Sequence, residues 1–566
     1  MKSKVSPTVV QAITCVFVAV ALIAPGVQGT SQSIPGTEGR YKSEETLLGP
    51  WYSTKGESLP VVSLDGRHVA YAHRGQCEKG SIMCVFLDGV PVPSEPNMFV
   101  GKIAIGPDGK RIAYESSKSS ALVTVNQGNW VVIDGKREKG YDQISQILFS
   151  PDGKHLAYAA RFVRGGHSAF AMATGSRAQW VVVLDGQESP TYTEGLQVFP
   201  MNLFFLSDGR LVYSAWREKK KFFVVDGKEI GLDWAWAVNP SFSFDGKRMA
   251  FVGCRGSGKD CSAVVDSKPG PVYDEIYRSS VFFSPDGQHY WYAGKTNGRW
   301  NAVVDGNPGQ PYDQIYNQYC KTTVDFGFLF GILPGSVTTI ERECRVPSYS
   351  FFSPDSKHTW YTAKKGGAWV AVEDGHEGPQ FAEISANAFS LDSTHLAYAT
   401  WESHSGGAKL LLDGKEIANA TGMANPGFSP DGQHIAYLTY RSEAVHEYAA
   451  SESGAAHPKR AVAVDGHAGA EFYGIGQFIF SPDSRHLAYS AQTEAAGITR
   501  EPDDVIPGGK WTVVLDGQLG SEYSYVAEGT LKFGVDGVLE FLAARKDPNT
   551  NETSLYRVKY LPIKQN

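Results

Sequence analysis

The chain has 566 residues, of which 42% are apolar and 20% charged, with 61 Gly, 30 Pro and 12% aromatic residues. This balance excludes wholesale disorder, and a Gly- and aromatic-rich chain without a collagen period implies many strands and many turns. The formal charge of −7 argues against a phosphate-binding surface, so no nucleic-acid partner is expected.

Lys2 and Lys4 open the chain, an apolar run follows from Val9 to Ala24, and Pro25 and Gly26 end it. Val27-Gln28-Gly29 then places small residues at a cleavage position. The pattern predicts a secretory signal peptide over 1–29. The run is too short, and too soon followed by polar chain, for stable membrane insertion. A periplasmic or secreted bacterial location is expected.

A turn motif then recurs eleven times: SLDG at 63–66, GPDG at 106–109, SPDG at 150–153, LSDG at 206–209, SFDG at 243–246, SPDG at 284–287, SPDS at 353–356, SLDS at 390–393, SPDG at 429–432, SPDS at 481–484 and GVDG at 534–537. Six residues after the Asp stands an aromatic in nine copies: Tyr71, Tyr114, Tyr158, Phe251, Tyr292, Tyr361, Tyr398, Tyr437 and Tyr489. An apolar strand then runs into a second Asp turn, with Asp at 88, 134, 185, 226, 266, 305, 374, 413, 465 and 516. An aromatic-plus-acid strand often follows, as in Tyr141-Asp142, Tyr273-Asp274 and Tyr312-Asp313. One repeat is therefore four short strands in about 40 residues, the pattern of a β-propeller blade. Such a sheet is too small to bury its own faces, so blades must stack.

The FSPDG-x-x-LAY units resemble WD40-like PD40 repeats, the blades of TolB-like periplasmic propellers. The resemblance covers about 500 residues and implies an all-β fold of ten to eleven four-stranded blades. That number exceeds one ordinary ring of four to eight. The interval between signatures widens only from Asp305 to Asp355, which predicts blades over 45–318, an insertion over 319–348 and further blades over 349–562. Two packed rings are the expected arrangement, with one large ring as the alternative. The terminal copy lacks its last strand, which predicts completion by an N-terminal strand, with Leu59–Val62 as the strand-like stretch near the start.

Both Asp-Gly turns belong to one end of each blade. The hairpin between the two signatures lies at the other end, and its length varies widely, with long versions at 160–179, 440–460 and 491–510. Variable loops on a rigid scaffold are where binding concentrates. Seven His (68, 155, 289, 358, 395, 434 and 486) share one repeat position, which sends them to equivalent and distant places and predicts a structural role. No catalytic residue, metal ligand or cofactor follows from the sequence. Gly253–Lys259 imitates a phosphate loop but lacks the Ser or Thr and the helix, and no G-x-S-x-G elbow is present. Trp234, Trp236 and Trp401 break the repeat and are the candidate binding aromatics.

Six Cys follow the leader, in an oxidising context and in close pairs, predicting Cys77–Cys84, Cys254–Cys261 and Cys320–Cys344 disulfides. The expected function is a non-enzymatic exported propeller that binds a protein or peptide through its long-loop end. The alternative is a glycan-active lyase or hydrolase with its site in the axial channel.

Overall fold

An Asp-Gly pair with positive φ at both positions forms the two-residue hairpin turn whose twist matches a β-ribbon. The second signature takes this form repeatedly: Asp185 and Gly186 lie at φ +50° and +79°, Asp305 and Gly306 at +50° and +81°. The first signature makes a wider turn, in which the Gly153 N–H bonds the Ser150 carbonyl at 2.9 Å and the Ser150 N–H bonds the His155 carbonyl at 2.9 Å. Its last residue is left-handed, at φ +71° for Gly153 and +66° for Ser356. These turns punctuate the chain into short antiparallel strands.

A computed structural model describes Ser31–Gln32 and 41–562, apart from 51–59, 64–65, 75–82, 93–97, 119–127, 164–177, 194–202, 218–219, 257–258, 278–279, 317–319, 326–336, 343–350, 404–406, 441–458, 495–508, 528 and 551. The proposed leader, Cys77 and Cys344 lie outside these residues. Every described element is a β-strand. No helix among the described residues is long and apolar enough to cross a membrane.

Among the described residues, eleven successive groups of strands, here called blades, follow in chain order, the fourth and fifth being successive halves of the strand run 203–269. They span 61–92, 99–141, 143–193, 203–230, 236–269, 275–312, 314–381, 383–420, 422–472, 474–519 and 525–562; we number them 1 to 11. Most follow chain order across the sheet without crossover, as in blade 2, where Phe99–Ile105, Ile112–Ser117, Asn129–Ile133 and Lys136–Tyr141 lie in sheet order. Blade 11 differs. Its Thr553–Pro562 strand pairs with Tyr41–Pro50 in antiparallel register from Tyr41↔Pro562 to Pro50↔Ser554. An N-terminal strand thus completes the last blade, as the repeat implies. It is 41–50 rather than the Leu59–Val62 stretch, because Val61–Val62 is already used as the first strand of blade 1.

The chain divides into two compact units, one of Met1–Leu232 with Phe472–Asn566 and one of Asp233–Glu471. The 319–348 stretch, where the interval between signatures widens, contributes a separate hairpin of Cys320–Asp325 with Val337–Arg342. In each unit the core lies between blades. Tyr158 of blade 3 packs with Ala113 and Val131 of blade 2. Tyr361 of blade 7 packs with Trp291 and Ala302 of blade 6. The nine repeated aromatics are all buried, from 0% exposed at Tyr71 to 5% at Phe251 and Tyr398. Tyr71, Tyr114, Tyr158, Tyr292, Tyr361, Tyr398 and Tyr437 each stand as a wedge in a core shared by two neighbouring blades.

The aromatic at the end of the fourth-strand region completes the wedge from the neighbouring blade. Tyr141 meets Tyr158 edge-on at 6.1 Å, Tyr273 meets Tyr292 at 5.9 Å and Tyr312 meets Tyr361 at 6.2 Å. These edge-to-face pairs explain why Tyr recurs before the acid in the fourth strand. Burial pushes the Tyr361 phenol up to about 12.

Cys254 and Cys261 form a disulfide across the blade 5 hairpin, with Cα atoms 4.0 Å apart and directly paired in register. Cys84 is also disulfide-bonded. The Cys320–Cys344 pairing involves a residue outside those described. Because the Cys254–Cys261 loop is short, Cys254→Ser with Cys261→Ser should cost less than about 3 kcal/mol, the worth of a 15-residue loop. Chemical denaturation with and without reductant measures this; a loss above that value would mean the bridge does more than close its own hairpin.

Candidate functional site

The two ends of each blade are built differently. At the turn end, the Ser and Asp of the first signature bond each other: the Ser150 hydroxyl donates to Asp152 Oδ1 at 2.6 Å and accepts the His155 N–H at 2.9 Å. Hydrogen bonds of this kind hold the Asp152 carboxyl well below the usual carboxylate range. The equivalent bond from Ser243 leads those that pull Asp245 down to about 2.

The second-signature Asp then ties the two turns together. Asp185 Oδ1 accepts the Leu156 N–H at 2.9 Å, and Asp185 Oδ2 accepts from His155 Nδ1 at 2.6 Å. The same imidazole–carboxylate bond recurs as His68–Asp88, His289–Asp305, His358–Asp374, His395–Asp413, His434–Asp465 and His486–Asp516, between 2.6 and 2.8 Å. The bond to Asp374 raises the His358 pKa. Each His is thus committed to an Asp of its own blade, although His395 and His434 line one cavity. Among the described residues, no group of three or more His, Cys, Asp or Glu is placed to hold a metal ion.

At the loop end, the recurrent acids bond backbone. Asp274 Oδ2 accepts the Asn297 N–H at 2.9 Å, and Asp313 Oδ2 accepts the Gly366 N–H at 2.8 Å. They brace the short hairpins 297–298 and 366–367. The long connections join the same pair of strands in their own blades: 164–177 in blade 3, 441–459 in blade 9 and 493–510 in blade 10. Most of their residues lie outside those described.

The candidate aromatics are half-buried and fall on two blades. Trp234 covers Gly253, where an added Cβ would meet the indole at 2.3 Å. Trp236 pairs in register with Cys254 and packs against the blade 5 core. Trp401 packs beside Ala399, Leu410 and Met423. The structure therefore places Trp234 and Trp236 on the first strand of blade 5 and its approach, and Trp401 on blade 8.

Periodicity alone does not reveal one feature of the turn end. A cavity of about 620 Å³ opens between blades 8 and 9, bounded by His395, Leu412, Ile417, Phe428, Gly432 and Gln433. The sequence does not single it out, because the pairing of His395 with Gly432 in the next repeat also occurs as His68 with Gly109, His155 with Gly209 and His486 with Gly537.

No protein-family model matches the chain, and no curated protein matches it. Solved structures similar to it include TolB from Acinetobacter baumannii, at 20% identity and a TM-score of 0.21, covering 43% of this chain and 62% of that one. The chain therefore spans less than two thirds of the TolB structure. The β-propeller domain of the Trilobed protease from Pyrococcus furiosus matches at 14% identity and a TM-score of 0.24, covering 58% of this chain and 96% of that one. Hydrazine synthase from Kuenenia stuttgartiensis matches at 12% identity and a TM-score of 0.23, covering 56% and 94%.

Proposed function

We propose that this protein is an exported, non-enzymatic β-propeller that binds a protein or peptide partner through the blade end carrying the long hairpins. The observation that carries this reading is the contrast between the two ends. One is held uniform by repeated Asp-Gly turns and His–Asp bonds, whereas hairpin length at the other runs from Asn297-Gly298 to 441–459. A constant end supports; a variable end on a rigid frame is where recognition is built. The Cys254–Cys261 bridge fits an oxidising compartment.

The test exploits the register. In blade 6 the pair Thr296↔Arg299 is joined by Asn297-Gly298. In blade 9 the equivalent last pair is Tyr440↔Arg460. Replacing 441–459 with Asn-Gly copies the blade 6 turn, and 493–510 is replaced likewise between Gln492 and Trp511, also paired. Both variants should melt close to the parent, because each change is confined to one hairpin. Recovery of partners from envelope extract should fall several-fold in the doubly trimmed protein. Unchanged recovery from a folded double variant overturns the assignment of binding to this end.

A further inference from the structure

At the turn end, four of the gaps between neighbouring blades are bridged by one of two devices. The first is a guanidinium. Between blades 2 and 3, Arg111 stands at the repeated His position; its Nε donates to Asp134 Oδ2 at 3.1 Å, and Nη1 donates to the Gly153 and Lys154 carbonyls, both at 3.3 Å. Its guanidinium lies 5.0 Å from the Phe149 ring centre. Between blades 5 and 6, Arg248 repeats the arrangement. Its Nε donates to Asp266 Oδ2 at 2.9 Å, and Nη1 reaches the Gly287 carbonyl at 3.0 Å and the Gln288 carbonyl at 2.6 Å, with Phe283 at 5.2 Å.

The second device is a hydroxyl. Ser356 and Ser393 occupy the left-handed end of their turns, and each Oγ accepts a backbone N–H from the preceding blade, Asp286 at 3.0 Å and Asp355 at 2.9 Å. These close the gaps between blades 6 and 7 and between blades 7 and 8.

Between blades 8 and 9 neither device is present. His395 takes the Arg position but ends at Asp413, 2.8 Å away, with its ring centre 6.3 Å from that of Phe428. Gly432, at φ +72°, has no hydroxyl to offer. The 620 Å³ cavity occupies this gap. Phe428, Gly432 and Gln433 are the repeat equivalents of Phe149, Gly153 and Lys154, and of Phe283, Gly287 and Gln288. The ring and the two consecutive carbonyl positions that receive a guanidinium in two other gaps therefore line an open cavity here.

We propose that this cavity receives the arginine side chain of a protein or peptide ligand. The planar guanidinium suits it because one face can lie against an aromatic ring while the edge donates to adjacent carbonyls. Asp392, Asp431 and Asp465 also line the cavity and favour a cation. An ammonium group offers neither the plane nor the fork. This site lies at the opposite blade end from the long hairpins, so it stands or falls independently of the proposed loop-end binding.

The experiment titrates the full-length protein with N-acetyl-arginine amide, followed by ligand-observed NMR, against the citrulline and lysine analogues. Arginine should bind saturably, and citrulline, which keeps the shape but not the charge, at least tenfold more weakly. His395→Arg supplies the guanidinium from within, as Arg111 and Arg248 do, and should weaken the arginine probe at least tenfold without lowering the melting temperature. Gly432→Ser, which copies Ser356 and Ser393, should also weaken it several-fold. The proposal is overturned if the parent shows no saturable arginine binding, if citrulline or lysine binds as tightly as arginine, or if a folded His395→Arg protein binds the probe as the parent does.

Discussion

Tyr158→Ala should destabilise its unit by about 3 kcal/mol or more, and Tyr437→Ala should do the same in the other unit, as deletion of a buried aromatic does. Tyr158 is 1% exposed and Tyr437 2%. Tyr158 fills the interface of blades 2 and 3 and holds Tyr141 edge-on. Tyr437 packs in the core shared by blades 8 and 9 with Ala397, Leu410 and Met423. Both side chains are wedged between sheets whose backbones are fixed by ladders, so neighbours cannot collapse into the void and the cavity cost is retained. Tyr158→Phe should be mild by comparison, since Phe251 occupies the same position in blade 5. Denaturant titration gives the free energies. If both alanine variants unfold at the parent's midpoint, these residues are not the interblade wedges the packing makes them.

Starting the chain at residue 53 should have a larger effect than either substitution. The Tyr41–Pro50 strand covers the edge of Thr553–Pro562 and connects three blades. Tyr41 donates to Asp516 Oδ2 at 3.0 Å in blade 10. Glu45 takes both Arg545 Nη1 and Nη2 at 2.9 Å, and accepts from Tyr523 at 2.7 Å. The Leu48 carbonyl accepts from Tyr71 of blade 1 at 2.6 Å. Removing the strand exposes a ten-residue edge and leaves Arg545, which also lies 5.0 Å from the Tyr523 ring, without its carboxylate. The shortened protein should melt earlier than Tyr158→Ala, and those amides of 553–561 that face the 41–50 strand should exchange rapidly, while those facing 539–546 stay protected. Parent-like protection of the amides facing 41–50 would show that the strand adds little, contrary to its register and its buried Leu48.

How much of this was legible in the sequence depends on the range of the interactions. The Asp-Gly turns, the strands they separate and the four-strand blade were readable because each rests on contacts a few residues apart. A left-handed turn needs Gly or a short polar side chain, and an apolar run between two such turns has no alternative to pairing. The buried aromatic was readable for the same reason, since repetition exposed it nine times. The pairing of Cys254 with Cys261 needed only the hairpin. Tertiary structure decided the rest. His155 and Asp185 are 30 residues apart and belong to different signatures, so periodicity marked both but could not join them. Glu45 and Arg545 are 500 residues apart, and no spacing predicts that the closing strand is 41–50 rather than 61–62. The open gap at Gly432 is not marked in the sequence either, since the same His-and-Gly combination stands at His155 with Gly209 and at His486 with Gly537. Such a combination changes nothing within its own blade, and acquires meaning only where two blades meet.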